Sequence, residues 1–419
     1  MELRPRVRAG AIILTVLLGL TAAAATGGRA LAEAQLLIEA STGKVLHAEN
    51  ATYPWYPASV TKLMTIYTTL REIKGGRVKF DTLLTVSRNA VAQAPTKMGF
   101  SLGTRVTVDN ALKMLMVKSA NDMAVTLAEG VGGSIDGFAD LMNANAGRLG
   151  MTQSHFVNPN GLPADNHVTS ARDLAILARA LITEFPQYDF YWHISSIRYG
   201  KRVYRNYNTL IDRYPGADGM KTGFICASGY NLVASATRNG RRLIAVVLGA
   251  YSGAVRAQKA ATLLERGFNS GTLSWLTPSL GSVDALAPID AQPPNLRDEM
   301  CGGHRRKPAS EDNDEDEDAQ ANKDAPPGSD SSALAYSIKS AIGKYVLGPP
   351  VETSEPIRVF TGPADNPDTA EKTVAAKSKA RKKTAAKKPD SEAKPAADKP
   401  KPKSESKPEA KKKTSTTTQ

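Results

Sequence analysis

The chain has 419 residues, enough for two average domains or for one large domain with tails. Its net charge of +13 is concentrated near the end, because residues 371–419 contain 16 Lys and Arg against 6 Asp and Glu. The basic composition is therefore no reason to expect nucleic-acid binding by the folded part. Two cysteines, Cys226 and Cys301, give no disulfide framework, and five scattered histidines form no ligand pair. We therefore expect neither a metal nor a cofactor.

The first 32 residues have the three parts of an export signal. Three arginines within residues 4–8 precede an uncharged, mostly apolar run over residues 9–25, and a small-x-small cleavage motif occupies residues 30–32. The alternative is an uncleaved membrane anchor, since the apolar run is long for a signal. Either form would place the rest of the chain in the periplasm or on the outer face of the inner membrane.

Strands are predicted on both sides of a helical middle. Apolar patterns predict strands at residues 35–40, 44–49, 81–86, 230–237 and 242–250. Apolar residues at helical spacing predict helices at residues 60–73, 108–116, 123–129, 135–149, 170–182 and 254–268. This order predicts an α+β fold, in which helices flank an antiparallel sheet and an all-helical block follows the first helix.

The composition changes after the last of these helices. Residues 276–304 contain several prolines and are predicted to be a linker. Residues 305–419 are predicted to be a low-complexity, mostly disordered tail, which begins with an acidic run at 311–318 and ends in the basic segment. Within it, residues 334–347 form either a short amphipathic helix for a membrane or partner, or a transient helix in a linker. The folded domain is thus expected over residues 33–275.

A serine and a lysine stand one helical turn apart at the start of the first predicted helix. Ser59 and Lys62 would share one face of that helix, which gives a nucleophile an amine base within hydrogen-bond reach. The tetrad is common by itself, since Ser-x-x-Lys also occurs at Ser41, Ser391 and Ser404. The first of these lies in a predicted hairpin turn, and the other two lie in the low-complexity tail.

Two further motifs select the copy at Ser59. Ser119-Ala120-Asn121 lies at a turn between predicted helices, and Lys221-Thr222-Gly223 leads into a strand. A competing Ser-x-Asn at residues 87–89 follows a strand and is interpreted as a surface turn. Ser-x-x-Lys, Ser-x-Asn and Lys-Thr-Gly in this order are the signature set of penicillin-binding proteins and serine β-lactamases.

The chain closely resembles the low-molecular-mass D-alanyl-D-alanine carboxypeptidases over roughly residues 33–272. The resemblance is strongest at residues 56–65, 118–122, 156–162, 218–223 and 229–236. It implies a β-lactamase/transpeptidase-like sheet with an all-helical subdomain, and a serine peptidase that trims peptidoglycan stem peptides and is inhibited covalently by β-lactams. The end of the chain departs from relatives that finish in a β-rich domain and an amphipathic membrane helix, because a proline-containing linker and a low-complexity tail stand there; the resemblance therefore leaves the mode of membrane attachment open.

Each motif residue then has an expected role in acyl transfer. Ser59 Oγ would attack the carbonyl between two D-alanines, and Lys62 would take its proton as a neutral amine. Burial and the neighbouring charge of Lys221 would both lower the pKa of Lys62. Ser119 would relay a proton to the leaving amine, and Asn121 would hold the substrate amide.

A second group of residues is expected to bind the substrate. Lys221 and Thr222 fit its terminal carboxylate, and Gly223 lets the strand backbone approach it. The resemblance implies an oxyanion hole from the backbone N–H groups of Ser59 and Phe224. It also assigns carboxylate binding to Arg256, for which a solvated helix arginine is the alternative.

Cys226 lies three residues past the Lys-Thr-Gly motif. We expect it to be a small buried apolar residue rather than a reactive thiol.

Two related activities compete with carboxypeptidase activity. A β-lactamase needs a base for rapid deacylation, and residues 155–170 contain no Glu-x-x-Leu-Asn pattern. We therefore expect penicillin to acylate Ser59 and to stay for minutes or longer. A peptidoglycan endopeptidase would use the same residues, so the motifs leave that alternative open.

A role without catalysis is a third alternative. The basic tail could attach the protein to a membrane surface or to an anionic envelope polymer. A solubilising, flexible tail explains the same composition.

Overall fold

The computed structural model describes residues 33–270, 280–303, 311, 347–351 and 354–363. The predicted export signal and the basic segment lie outside the described residues, and so does the segment at 334–347 apart from its last residue. Among the helices in the described ranges, none combines the length and apolarity that a membrane span requires.

A five-stranded antiparallel sheet forms the centre of the domain, in the order β2-β1-β9-β8-β7. Its strands are β1 (Ala34–Glu39), β2 (Val45–Glu49), β7 (Ala217–Ile225), β8 (Gly229–Arg238) and β9 (Arg241–Ala250). The predicted hairpin between β8 and β9 turns at Asn239 and Gly240, which have φ angles of 50° and 75°. Positive φ at both turn residues matches the twist of an antiparallel pair and favours Asn-Gly.

Residues 229–236 of β8 and 243–250 of β9 are all buried, because the sheet is covered on both faces. Val233, Ile244 and Val246 belong to the core cluster that contains the helical block. Leu232 and Val247 belong to a second cluster with the last long helix. Successive strand residues point to opposite faces, so a strand in a sheet between two helical layers is buried on both sides and reads as mostly apolar.

The six long helices follow the predicted order, whereas the short helix α2 and three of the minor strands were not predicted. The helices are α1 (Lys62–Lys74), α2 (Arg88–Ala92), α3 (Val108–Val117), α4 (Asn121–Gly132), α5 (Ile135–Leu149), α6 (Ala171–Glu184) and α7 (Gly253–Asn269). Minor strands β3 (Leu83–Thr85) and β4 (Arg105–Thr107) pair with each other, as do β5 (Ser196–Tyr199) and β6 (Arg202–Arg205). Side chains of Thr107, Ser134, Ser170 and Ser252 cap the starts of α3, α5, α6 and α7.

Residues 280–303, predicted to be a linker, pack against the domain instead. Val283 is buried and its N–H donates to the Gly43 carbonyl, while Leu296 N–H donates to Ala227. A short helix α8 (Arg297–Cys301) then ends at a disulfide between Cys301 and Cys226, with the Cα atoms 5.6 Å apart. The expectation of an unpaired Cys226 is therefore wrong, because the chain path brings a cysteine 75 residues away back to β7.

Part of the predicted tail also lies on the domain. Strand β10 (Ile357–Arg358) pairs in parallel with β5, and Val359 is buried. The described domain therefore extends beyond the expected boundary at residue 275.

Candidate active site

Ser59 and Lys62 lie at the entrance to α1. A 3₁₀ turn, Ala58–Thr61, carries Ser59, and α1 begins at Lys62. Lys62 Nζ is 2.7 Å from Ser59 Oγ and donates to the Asn160 carbonyl, also at 2.7 Å. Ser59 is half-buried and faces the surface, whereas the Lys62 side chain is fully buried. The pair therefore has one accessible nucleophile and one amine shielded from water.

The surroundings of Lys62 favour its neutral form. Burial lowers the pKa of this amine well below its usual value, and the nearby positive charge of Lys221 lowers it further. The carboxylates of Glu311 and Asp122 oppose this effect. A neutral amine keeps a lone pair that can accept the Ser59 proton while its N–H donates to Asn160.

Contacts behind the 3₁₀ turn hold it in place. Asn231 on β8 donates to the carbonyls of Tyr56 and Pro57, both at 3.0 Å. His167 Nδ1 accepts the Val157 N–H, so its Nε2–H faces Thr61 Oγ1 at 2.8 Å. Burial lowers the pKa of His167 to about 3, which keeps this ring neutral. These contacts fix the backbone on either side of Ser59.

The competing motif copies that the structure describes have structural roles. Ser41 and Lys44 are exposed in the β1–β2 turn, where the Thr42 hydroxyl accepts the Lys44 N–H. Ser87 caps α2 by accepting the Ala90 N–H at 3.0 Å. The two copies in the tail lie outside the described residues.

Ser119 and Asn121 are buried at the turn between α3 and α4. Ser119 has a φ of 56°, an uncommon conformation for a residue with a side chain. Asn121 Nδ2 donates to the Ala94 carbonyl at 2.9 Å. Within the described ranges, Ser119 Oγ and Asn121 Oδ1 have no hydrogen-bond partner. Buried polar atoms are normally paired, so both are available to a ligand.

Hydrogen bonds through a loop at residues 93–96 connect the turn that carries Asn121 to the proposed base, Lys62. Residues 93–96 supply the Ala94 carbonyl to Asn121, and Gln93 Oε1 accepts from Asn160 Nδ2 at 2.7 Å. The Asn160 carbonyl in turn accepts from Lys62. Sequence reasoning gave no role to Gln93 or Asn160, because neither belongs to a signature motif.

Lys221, Thr222 and Gly223 lie on β7, the edge strand of the main sheet. Lys221 is 1% exposed, and burial lowers its pKa to about 8, with Arg256 acting in the same direction and Glu311 opposing. Phe224 follows on the same strand, and its ring packs on Tyr230 with 4.4 Å between centroids. The edge strand of a sheet can pair with an extended peptide.

Gly223 brings this edge against the nucleophile. A Cβ added here would lie 2.7 Å from the Ser59 nitrogen and 2.8 Å from the Val60 nitrogen. Real Cβ atoms essentially never come so close, and both neighbours are backbone atoms that cannot rotate away. Only glycine therefore allows β7 and the 3₁₀ turn to pack at this distance.

Replacing Gly223 with alanine is expected to move β7 away from Ser59. A displacement of about 1 Å at a reacting centre typically costs on the order of 100-fold in rate. We expect a loss of that size in the acylation rate by benzylpenicillin, measured by stopped-flow or quenched mass spectrometry. Gly147→Ala on α5, where an added Cβ has nothing within 4 Å and φ is not positive, is the control for glycine loss. An unchanged rate in Gly223→Ala would contradict this account.

Arg256 on α7 reaches into the same region. It is 3% exposed, its guanidinium lies 5.3 Å from the Tyr230 ring centroid, and it approaches the carbonyls of Asn231 and Tyr207 at 3.5 and 3.4 Å. The alternative of a solvated helix arginine is therefore wrong. Arg256 and Lys221 place two buried positive charges beside the strand edge.

Glu311 is a site residue that sequence reasoning missed. Its Oε1 accepts from Arg256 Nη1 at 2.9 Å, and its side chain is 6% exposed. Burial would raise the pKa of this carboxyl, but Arg256 and Lys221 together hold it below the usual value. In the sequence Glu311 was one of many acids in the run at 311–318, with no spacing signal that singled it out.

The described residues show no metal centre. Across the ranges given above, His, Cys, Asp and Glu side chains form no group of three that could hold an ion.

Comparisons with known proteins identify a family. The family model described as D-alanyl-D-alanine carboxypeptidase, Peptidase_S11, matches residues 21–252. D-alanyl-D-alanine carboxypeptidase DacC of Escherichia coli (strain K12) is 37% identical over 244 residues, which cover 57% of this chain and 61% of that protein. The match thus spans about three fifths of the length of this relative.

Solved structures give the same result. The D-alanyl-D-alanine carboxypeptidase DacD from Francisella tularensis superposes with a TM-score of 0.55 at 32% identity, covering 56% of this chain and 70% of that one. Penicillin-Binding Protein D2 from Listeria monocytogenes in its ampicillin-bound form has a TM-score of 0.52 at 28% identity, covering 56% and 97%. These matches confirm the family resemblance and the α+β fold.

Proposed function

Since the chain belongs to the D-alanyl-D-alanine carboxypeptidase family, we propose that it removes the terminal D-alanine from peptidoglycan stem peptides through an acyl-enzyme on Ser59. One observation carries the proposal. A fully buried lysine with a lowered pKa lies 2.7 Å from an accessible serine, beside the edge strand β7 and the buried cations Lys221 and Arg256. This arrangement combines an activated nucleophile with a binding site for a peptide that ends in a carboxylate.

Acylation begins when Lys62 accepts the Ser59 proton. The oxygen attacks the carbonyl carbon of the D-alanyl-D-alanine bond, and the carbonyl electron pair moves onto oxygen. The backbone N–H groups of Ser59 and Phe224 stabilise that negative charge, at about 3 kcal/mol for one such donor. Gly223 supports this step because it keeps β7 against the 3₁₀ turn.

Collapse of the intermediate breaks the C–N bond and releases D-alanine. The leaving nitrogen needs a proton, which Ser119 relays from the protonated Lys62. Asn121 holds the amide of the peptide through its side chain, whose oxygen makes no hydrogen bond with the described residues. Water then attacks the ester on Ser59, the Lys62 amine accepts its proton, and hydrolysis restores the serine.

The terminal carboxylate is held by Lys221, Thr222 and Arg256. Guanidinium and ammonium groups form charge-assisted hydrogen bonds with carboxylates, and these are about twice as strong as neutral ones. A substrate without a free terminal carboxylate would not form these charge-assisted bonds with Lys221 and Arg256. This accounts for cleavage at the end of a peptide rather than within it.

The proposal includes covalent trapping by β-lactams. A relative of 28% identity is known in ampicillin-bound and cefotaxime-bound forms. The segment 155–170 supplies no glutamate as a deacylation base in this chain. We expect a benzylpenicillin adduct that lasts for minutes, and rapid catalytic turnover would contradict this.

Incubation with pentapeptide monomers and with cross-linked dimers tests the reaction. Release of free D-alanine from the monomers, with dimers left intact, is the expected result. Cleavage of the dimers at a comparable rate would favour a peptidoglycan endopeptidase instead. Absence of both products would refute a peptidase function.

Location follows from the substrate. We propose that residues 1–32 direct export to the periplasm, where peptidoglycan is accessible. The Cys226–Cys301 disulfide supports this proposal, because such bonds persist in oxidising compartments.

We also propose that the basic segment 371–419 contacts anionic polymer or lipid head groups. Cosedimentation of the full chain and of residues 33–370 with anionic vesicles would test this proposal.

A further inference from the structure

A carboxylate of the chain itself lies where the proposed function places the substrate carboxylate. Glu311 Oε1 is 2.9 Å from Arg256 Nη1, and its charge acts on Lys221 as well. Glu311 and Arg256 have side-chain exposures of 6% and 3%. The contact is thus a shielded ion pair within the cation cluster, not a surface pair whose strength water would screen.

The cation cluster needs a counter-charge when no substrate is present. Lys221 and Arg256 are each at least 97% buried, and unpaired buried charges are costly. Glu311 supplies one negative charge to this pair of positive charges. A peptide ending in D-alanine would supply the same group with the same charge, so the two carboxylates are chemically equivalent occupants.

The two occupants also act on the base in the same way. Glu311 raises the pKa of Lys62 against the effects of burial and Lys221. Among the described residues, its hydrogen bonds and charge contacts include Arg256, Lys221 and Thr222, which bind the substrate in the proposed function, and Ser59 keeps its hydrogen bond to Lys62. The nucleophile and its base are therefore assembled while the carboxylate position is filled.

We propose that Glu311 is an internal competitor that occupies the carboxylate subsite and autoinhibits the enzyme. The proposal rests on the proposed function for its substrate, because it equates the Glu311 side chain with the terminal D-alanine carboxylate. Substrate must displace Glu311 before its carboxylate reaches Arg256. The apparent affinity for substrate is reduced by the fraction of molecules in which the subsite is open.

Steady-state kinetics of a Glu311→Gln variant of the full chain test this. We expect KM for a D-alanyl-D-alanine peptide to fall about tenfold with little change in kcat, since an occupancy near nine in ten reduces apparent affinity by that factor. The acylation rate at low benzylpenicillin concentration should rise by a similar factor. Glu315→Gln removes one charge from the same acidic run and is the matched control, expected to behave as the parent.

Binding to Ser59→Ala protein separates this proposal from the proposed function. Calorimetry with N-acetyl-D-alanine, a carboxylate that needs no hydrolysis, should show about tenfold tighter binding after Glu311→Gln or Glu311→Ala. That gain would support autoinhibition even if the protein released no D-alanine. Conversely, D-alanine release without the gain would leave the proposed function intact and overturn the internal competitor.

Three results would overturn the proposal. Unchanged KM and unchanged ligand affinity in both variants would show that Glu311 does not compete. Weaker ligand binding would show that Glu311 positions Arg256 instead. A long-lived acyl-enzyme in Glu311→Gln, where the parent deacylates, would assign Glu311 to hydrolysis as a base.

Discussion

Replacing Ser59 with alanine is expected to abolish the covalent benzylpenicillin adduct. The methyl group has no oxygen to attack a carbonyl, and the Lys62 amine is then left without a nucleophile to activate. Removal of a catalytic nucleophile typically costs on the order of 10⁶-fold in kcat, so D-alanine release should fall to background. Intact-protein mass spectrometry after benzylpenicillin measures the first effect, and a D-alanine assay measures the second.

The chain supplies a matched control for this substitution. Ser41→Ala changes a serine in the same Ser-x-x-Lys tetrad, but Ser41 lies exposed in the β1–β2 turn. It should give full adduct formation, with the label on the peptide that contains Ser59. An adduct on any other peptide of Ser59→Ala protein would show that the nucleophile is elsewhere.

Replacing Lys62 with arginine is expected to slow acylation by about 10³- to 10⁴-fold, the upper range for loss of a general base. Arginine is similar in length but is not deprotonated in proteins, so it has no lone pair for the Ser59 proton. The measurement is the second-order rate of adduct formation with benzylpenicillin. Lys44→Arg makes the same change in the exposed tetrad and should have no effect.

The pH dependence of kcat/KM tests the protonation states assigned to Lys62 and Lys221. The acylating form needs Lys62 deprotonated, so the rate rises as pH increases through the Lys62 pKa, which lies well below that of a free lysine. Carboxylate binding needs Lys221 protonated, so the rate falls as pH increases through the Lys221 pKa of about 8. The expected profile is a bell with its alkaline limb near that pH. A rate still rising above pH 9 would contradict the assignment of Lys221.

Lys62→Arg should remove the acid limb of this bell while leaving the alkaline limb. The reason is that only the base is changed, and the carboxylate-binding lysine remains. Loss of both limbs together would indicate that the substitution had disturbed β7 as well.

The sequence by itself determined the elements whose causes are local. Apolar spacing and the Asn239-Gly240 turn predicted the strands of the central hairpin, because a two-residue turn fixes its own register. The spacing of Ser59 and Lys62 predicted a contact, since residues three apart lie about one helical turn apart on the same face. Three motifs in one order then identified the family.

Only the tertiary structure decided features that depend on the path of the whole chain. Cys226 meets Cys301 across 75 residues, and Arg256 turns from the last long helix into the site rather than to solvent. Glu311 joins Arg256 from a segment whose composition gave no sign of folding. These contacts have no periodicity or spacing rule, because the free energy that fixes them comes from burial and charge pairing between distant segments. The sequence thus predicted the nucleophile and its base, and the fold determined what neutralises the cations beside them.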